Sequence, residues 1–322
     1  MRVIAPKTMI FDTASMYFRA FYGLPSSMRS PQGEPVNAVR GLLDSIARLV
    51  VQYRPDEIVC AWDNDWRPAW RVDLLPTYKT HRVAGASAEA AAVGVVGAGA
   101  LAATGGLAEE SPEGLAHQVL VIREVLAALG ITVVGRDGYE ADDVIGSIAH
   151  QNPGESLVVT GDRDLFQLAD EATRIIYIGK CVAKHDLVDT AWVLEKYGVP
   201  ASAYVDFAIL RGDPSDGLPG VKGIGDKSAA QLVTSHRNLE GILAAAGDPA
   251  SGMSPSLRSK LAGSVDYLAA AREVVEVVKD LPVDELDLRR DASRIDRAAV
   301  EALDARWGLG SSLERIIAAI EA

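Results

Sequence analysis

Apolar residues follow two alternating rhythms through the first half of the chain, and that alternation stops near residue 185. Lys7–Ala14 (KTMIFDTA) reads as a buried strand ending at Asp12, and Glu57–Asp63 (EIVCAWD) as the next one. Between them, Val39, Leu42, Leu43, Ile46, Leu49 and Val50 recur at helical spacing, which predicts an amphipathic helix over Val36–Tyr53. The pattern continues as helix Pro112–Leu129, strand Ile131–Val134, helix Asp142–His150, strand Ser156–Asp162 and strand Thr173–Ile178. Strands interleaved with helices predict an α/β fold, a mostly parallel central sheet flanked by helices on both faces. Later segments look helical: Thr190–Tyr197, Pro200–Leu210, Lys227–Val233, Leu239–Ala246, Ser256–Leu261 and Val265–Val278. A strand-like piece, Glu285–Leu288, and two helices, Asp296–Arg306 and Ser311–Ile320, close the chain. The expected division is a core over 1–185, a helical domain over 186–285, and C-terminal helices over 286–322 that pack back on the core.

Acidic residues punctuate this pattern at particular places. Asp12, Asp63, Glu140/Asp142/Asp143 and Asp162/Asp164 fall at strand ends or helix starts, and Asp213/Asp216 lie in a loop before a glycine-rich turn. Strand ends of an open parallel sheet converge on one rim, so these nine carboxylates can meet in one pocket. Two like charges about 4 Å apart repel by roughly 4 kcal/mol at an effective dielectric near 20, so such a group demands cations. Oxygen ligands without histidine or thiolate point to Mg²⁺ or Mn²⁺, and hence to phosphate chemistry. Taken singly, each pair has a blander reading: TGDRD as a solvated turn, YEADDVIG as acids capping a helix. Their joint placement at four strand ends favours the pocket.

Composition modifies this little. The 322 residues are 48% hydrophobic and 24% charged, ordinary for a globular chain of about two domains. The formal net charge of −12 argues at first against nucleic acid, but nine of those charges are the clustered acids. Cys60 and Cys181 show no metal spacing and read as buried free thiols in a reducing cytosol. The N-terminus enters a strand without a secretory h-region, so the expected location is the cytoplasm. Residues 90–108 carry no charge, yet five glycines and acidic flanks speak for a flexible or helical insertion rather than a membrane span.

Basic residues form two further groups. Arg67–Arg82 (RPAWRVDLLPTYKTHR) interleaves Arg67, Arg71, Lys79, His81 and Arg82 with Trp70 and Tyr78, a pattern suited to single-stranded nucleic acid. Trp62, Trp66 and Trp70 recur every four residues, so core packing is their simpler reading, and Lys79 and Arg82 remain the functional candidates. Arg19, seven residues after Asp12, can clamp a phosphate by forked hydrogen bonds. The turn Gly220–Gly225 (GVKGIG) leaves backbone N–H groups free at the start of the next helix, where they can hold phosphate oxygens. A P-loop is excluded, because Asp226 stands where that motif needs lysine.

The order of these motifs resembles the 5′ nuclease (flap endonuclease) family, which includes the N-terminal nuclease domain of bacterial DNA polymerase I. The match runs over nearly the whole chain: Asp12 with Arg19-Ala20-Phe21, Asp63, Tyr78-Lys79-Thr80-His81-Arg82, YEADD at Tyr139–Asp143, GDRD at Gly161–Asp164, and GDPSDGLPGVKGIGDKSA from Gly212 to Ala229. The resemblance implies a PIN-like nuclease core with a helical arch (about 71–129) and a helix–three-turn–helix domain that binds duplex DNA. It implies two-metal hydrolysis of phosphodiesters in flapped, nicked or branched DNA during replication and repair, RNA–DNA primer junctions included. One ion would belong to Asp12, Asp63, Glu140 and Asp142. The other would belong to Asp162, Asp164, Asp213 and Asp216, with Asp143 between them. Lys79, Arg82 and Arg19 would act on the scissile phosphate. Tyr78, Lys79, Arg82, Gly220, Lys222, Gly223, Gly225 and Lys227 would contact DNA, with a K⁺ ion at the turn. A monomer is expected. Two departures stand out: Thr13-Ala14-Ser15 replaces the family's Gly-Asn/Ser-Ser, and an Ala/Gly-rich insertion (83–111) occupies the arch. The competing readings are a catalytically inactive DNA-binding protein of the same fold and a ribonuclease on the related fold.

Overall fold

The computed structural model describes residues 6–83, 98–101, 109–112, 114–283 and 285–322. Strand β1 (Lys7–Asp12) stands inside the main sheet, paired on both edges and buried beyond Lys7. Its side chains alternate between layers: Met9 and Phe11 enter one hydrophobic core, Ile10 the other. Helix α1 (Thr13–Gly23) follows at once, capped by Asp12, whose carboxylate accepts from the Ser15 N–H at 3.0 Å. The sequence pattern left this helix unassigned, and the cap is the local signal that starts it. Helix α2 (Asn37–Tyr53) buries the whole predicted stripe from Val39 to Val50. It packs closely on α1, since a Cβ on Gly41 would lie 2.6 Å from the Ala20 Cβ.

Strand β2 (Glu57–Ala61) and helix α3 (Ala69–Leu74) lead into the expected arch, much of which lies outside the described residues. Within the Ala/Gly-rich insertion, β3 (Ala98–Leu101) and β4 (Glu109–Pro112) form an antiparallel pair. The expected flexible or helical insertion is therefore extended where it is described, as glycine-rich segments disfavour helix. Next come α4 (Ala116–Ala128), β5 (Thr132–Val134), α5 (Ala141–Gln151), β6 (Glu155–Thr160), β7 (Thr173–Tyr177) and β8 (Asp186–Val188). The sheet order is β5-β2-β1-β6-β7-β8, with every pairing parallel except β7–β8. The mostly parallel sheet is as predicted, with one antiparallel edge strand too short to announce itself. Because the chain leaves β1 toward β2 and later returns to β6 on the other side, the carboxyl ends of β1 and β6 bound a topological switch point.

Helices α6 (Thr190–Tyr197), α7 (Tyr204–Arg211), α8 (Asp226–His236), α9 (Leu239–Gly247), α10 (Pro255–Ala262) and α11 (Val265–Val275) follow and share a core with α5 and one sheet face. Helices α12 (Arg297–Trp307) and α13 (Ser311–Glu321) return to the opposite face, α13 against α2 and α12 against α4. The strand expected at Glu285–Leu288 is absent. Its carbonyl at Leu288 instead accepts from the Ile58 N–H at 2.8 Å, below the point where the short β5 begins to pair with β2. Cys60 is buried, but Cys181 is exposed in a turn after β7, contrary to the expectation for both thiols. Among the described residues no helix is long and apolar enough to cross a membrane.

Candidate active site

Three adjacent parallel strands deliver the acids. β1 ends at Asp12; Asp63 follows β2 by two residues, and Asp162 follows β6 by two. Local bonds hold each carboxylate. Asp12 accepts from the Thr160 hydroxyl at 2.7 Å as well as from Ser15. Asp63 accepts from the Ala141 N–H at 2.8 Å, at the start of α5, which brings Asp142 beside it. Asp162 accepts from the Asp164 N–H at 2.9 Å. Together with Asp142 and Asp213 these acids line an open cavity of about 470 Å³, alongside Arg19, Lys79, Arg82 and Arg163.

The electrostatics of this cavity are unbalanced. Burial pushes Asp12 up to about 7, with the Thr160 and Ser15 bonds opposing the rise and Asp63 and Asp162 adding to it. Asp142 and Asp164 are driven well above the ordinary carboxylate range by burial and then by Asp162, among other acids. Asp162 is raised by burial and by Asp216. One oxygen of Asp164, Oδ1, is buried with no hydrogen-bond partner. Among the described residues no three acids, histidines or cysteines stand close enough to form a finished ligand shell. An all-oxygen donor set with raised pKa values and an orphaned oxygen fits hard divalent cations.

Behind this wall lies a second acidic group with the opposite balance. Arg71, only 2% exposed, donates from Nη1 to Glu140 Oε2 at 2.7 Å and to Asp143 Oδ2 at 2.6 Å, and from Nη2 to Asp143 Oδ1 at 2.7 Å. Its Nε donates to the Val274 carbonyl at 2.9 Å, at the end of α11. Asp143 also accepts from the Val278 and Glu140 N–H groups, at 3.0 and 3.2 Å. The Tyr78 hydroxyl donates to Glu140 Oε2 at 2.7 Å, and the Lys79 ammonium pairs with Oε1. Burial would discharge Lys79, but Glu140 holds it protonated well above the ordinary lysine range.

These contacts change the reading of several expected residues. Asp143 was expected between two ions, yet it is wholly buried and spends both oxygens on Arg71 and backbone donors. Glu140 was expected as an ion ligand but is occupied by Arg71, Tyr78 and Lys79. Tyr78 was expected at the DNA, yet its ring is 5% exposed, because its hydroxyl reaches inward to Glu140. Arg71 and Arg67 drop out of the basic-aromatic surface: Arg67 closes its own loop through the carbonyls of Tyr78 and Pro76, at 2.6 and 3.1 Å. Trp66 lines the cavity rather than the core, whereas Trp70 donates to the Gly138 carbonyl at 3.1 Å.

The remaining expected residues surround the rim. Lys79 takes a left-handed backbone (φ 49°), and its N–H donates to the Asp216 carbonyl at 3.0 Å. Arg82 reaches the Asp216 carboxylate at 2.7 Å and the Ser215 carbonyl at 2.8 Å. The base of the arch is thereby tied to the Asp213–Asp216 loop. Gly217 sits in the left-handed region there, and a Cβ on it would fall 2.0 Å from the Thr77 carbonyl oxygen. Arg19 donates to the carbonyls of Gly179 and Gly161, at 2.9 and 3.2 Å, and lies across Gly161. In the glycine-rich turn, the Gly220 N–H is spent internally on the Tyr267 hydroxyl at 3.0 Å. The N–H groups of Lys222, Gly223 and Gly225 have no acceptor among the described residues, and Lys222 and Lys227 are exposed beside them.

Two family descriptions match the chain. One is the 5′-3′ exonuclease N-terminal resolvase-like domain, over residues 7–198; the other is the 5′-3′ exonuclease C-terminal SAM fold, over residues 199–296. The chain belongs to the 5′-3′ exonuclease family. It is 50% identical over 316 residues to a 5′-3′ exonuclease of Streptomyces coelicolor, covering 98% of this chain and 100% of that protein. A 5′-3′ exonuclease of Mycobacterium tuberculosis is 42% identical over 326 residues, covering 97% of each. DNA polymerase I of Mycobacterium bovis is 34% identical over 282 residues, which is 86% of this chain but 28% of the polymerase. The fold resembles that of the T5 5′-exonuclease with bound zinc ions (TM-score 0.60, 17% identity, 98% of both chains). It also resembles the Rad2 catalytic core in complex with a DNA substrate (TM-score 0.58, 13% identity, 98% of this chain and 93% of that one).

Within this 5′-3′ exonuclease, the cavity also uses residues that sequence spacing did not single out. Phe18 comes from the unassigned helix α1, and Tyr177 from the end of β7. Arg163 lies between two clustered acids, 3.5 Å from Asp213. The GDRD motif contained Arg163 in plain view. Its charge was masked by the acids on either side.

Proposed function

We propose that this chain hydrolyses phosphodiester bonds near the 5′ ends of flapped, nicked or branched DNA, acting as a 5′→3′ exonuclease and flap endonuclease that needs Mg²⁺ or Mn²⁺. The observation that carries the reading is the cavity at the carboxyl ends of β1, β2 and β6. Five acids and four cationic side chains line it, and burial and neighbouring acids raise the proton affinity of Asp12 and Asp142 in spite of those cations. Asp12, Asp63, Asp142, Asp162, Asp164 and Asp213 would hold the ions, with Glu140, Asp143 and Asp216 ordering the wall behind them. When bound, such ions supply Lewis acidity to the attacking and leaving oxygens of an in-line displacement.

The chain's own residues do the remaining work. Lys79 and Arg82, at the base of the arch, line the cavity together with Arg19 and Arg163, and these four cations would orient the scissile phosphate. Phe18 and Trp66 give the cavity flat apolar surface for a nucleobase. The turn Gly220–Gly225, through the N–H groups of Gly223 and Gly225 and the side chains of Lys222 and Lys227, would hold duplex backbone without reading bases, with a K⁺ ion as the expected companion. A monomer working in the cytoplasm on repair and lagging-strand intermediates suits this arrangement.

The deciding experiment uses a 5′-labelled double-flap DNA with Mg²⁺, Mn²⁺ or EDTA, and products mapped at nucleotide resolution. Metal-dependent release at the single-strand/duplex junction is the expected result. Binding without cleavage in every metal would overturn the reading in favour of an inactive DNA-binding protein. Preferential cleavage of an RNA flap would favour a ribonuclease.

A further inference from the structure

Helix α1 carries a second hollow beside the acidic cavity. Ser15, Phe18, Arg19 and Tyr22 recur at helical spacing on its open face, while Met16, Tyr17 and Ala20 are buried. Ser15, Phe18 and Arg19 line the acidic cavity, and the same three residues also line an adjoining open cleft of about 490 Å³. Tyr22, Gly23 and Lys180 complete that cleft, so the two hollows run on from one another along one helix. Tyr22 is 72% exposed, and its ring meets that of Phe21 at nearly a right angle, 5.4 Å between centroids. The turn after β7 brings Lys180 to the cleft. Gly179 lies against the Tyr177 ring, where a Cβ would fall 2.4 Å from a ring carbon, and its carbonyl accepts from Arg19 Nη1 at 2.9 Å.

The chemistry of this cleft is the reverse of its neighbour's. Lys180 is exposed and makes no hydrogen bond or ion pair among the described residues, and Arg19 bonds there only to backbone carbonyls. Neither cation has a carboxylate partner, and none of the six lining residues is acidic in a chain of net charge −12. Two unmatched cations beside two aromatic rings suit an anion that carries a flat apolar part, which is the chemistry of a nucleotide.

We propose that this cleft binds the nucleotide of the substrate strand next to the one in the acidic cavity: Lys180 and Arg19 neutralise its phosphate, and Tyr22 stacks its base. The proposal rests on the nuclease reading of the acidic cavity and adds a place for the strand on one side of it. Continuity argues for the same strand, because Arg19 and Phe18 belong to both hollows. Tyr22 lies four residues beyond Phe18, about 6 Å along the helix, so the two rings address successive nucleotides of an extended strand.

The test measures binding of fluorescent double-flap DNA to the full chain by anisotropy in EDTA, so that turnover plays no part. Tyr22→Ala is expected to weaken binding about five- to tenfold with the salt dependence unchanged, since stacking involves no counterion release. Lys180→Ala should weaken it several-fold and lower the slope of log affinity against log salt by about 0.7, one single-strand phosphate's worth. Both side chains are exposed, so melting temperatures should match the wild type's. Two modified substrates locate the contact: each carries one neutral methylphosphonate linkage, one step to the 5′ or to the 3′ side of the junction. On one of them the Lys180→Ala loss should vanish, which also gives the direction of the strand. An abasic site at that nucleotide should cancel the Tyr22→Ala loss. Affinities equal to the wild type's, losses that persist on every modified substrate, or equal losses on blunt duplex without a junction would each overturn the proposal. Wild type that binds yet cleaves in no metal would fail the nuclease reading alone. Wild type that cleaves while both variants bind normally would fail the cleft alone.

Discussion

Two groups of buried and half-buried acids meet at the start of α5 in this protein and have opposite fates. Glu140 and Asp143 are matched charge for charge by Arg71 and Lys79, and backbone N–H groups take up the Asp143 oxygens that remain. Asp12, Asp142, Asp162 and Asp164 have mainly each other, and their proton affinities rise accordingly. The same residue type in the same YEADD motif thus serves two ends. Where a fold supplies its own cations, the acids tie elements together. Where burial and neighbouring acids outweigh the cations supplied, proton affinities rise, and such a shift is a physical mark of a functional pocket.

Substitution should separate the two groups most sharply. Asp162→Asn is expected to reduce cleavage by about 10³-fold or more, the worth of several kcal/mol of lost charge stabilisation. Flap binding should be largely kept, and metal-free melting should not fall, because one repelling charge is gone. Unchanged turnover would sink the site assignment. Asp143→Asn should show the reverse balance, costing roughly 3–5 kcal/mol of stability by stranding the Arg71 charge. Urea unfolding measures this, and a loss below about 1 kcal/mol would remove Asp143 from the structural class.

Acidity offers a gentler way to sharpen the contrast. The Asp12 carboxyl lies near 3.8 in the unfolded chain and is raised to about 7 in the fold. Between those values the folded state holds more protons, so the stability of metal-free protein falls as pH rises through that window. Melting in EDTA should therefore occur a few degrees lower at pH 8 than at pH 5.5, with Mg²⁺ reversing the difference at pH 8. A metal-free melting temperature that rises with pH would contradict the unbalanced pocket. Least severe should be Gly161→Ala. Its new Cβ would lie 2.1 Å from Arg19 Nε and push that guanidinium off the rim. About tenfold in kcat/KM is expected, one charge-assisted hydrogen bond's worth, with no change in melting. A loss as large as that of Asp162→Asn would mean that the loop itself had moved.

Much of this molecule was legible in one dimension. The α2 stripe from Val39 to Val50, the strands ending at Asp12 and near Asp63 and Asp162, and the run of helices after 190 all appear close to their predicted places. Misses came where local signal is short or ambiguous. The strand-like Glu285–Leu288 makes a single ladder-type bond to Ile58, β8 has three residues, and α1 hides behind the strand that precedes it. Among the site residues, sequence order brought the acids to the right rim but could not say which way each faces.

Sequence alone determined the alternation of strands and helices, the placing of acids at carboxyl ends, and the motifs that mark the 5′-3′ exonuclease family. Those features depend on residue type and spacing over a few positions, so they survive reading in one dimension. Tertiary structure decided that Arg71, 69 and 72 residues from Glu140 and Asp143, would join Lys79 in matching those two acids, while burial and mutual repulsion raise the proton affinity of the pocket carboxylates. The physical reason is that charge compensation depends on separation through space and on the local dielectric, neither of which spacing along the chain contains.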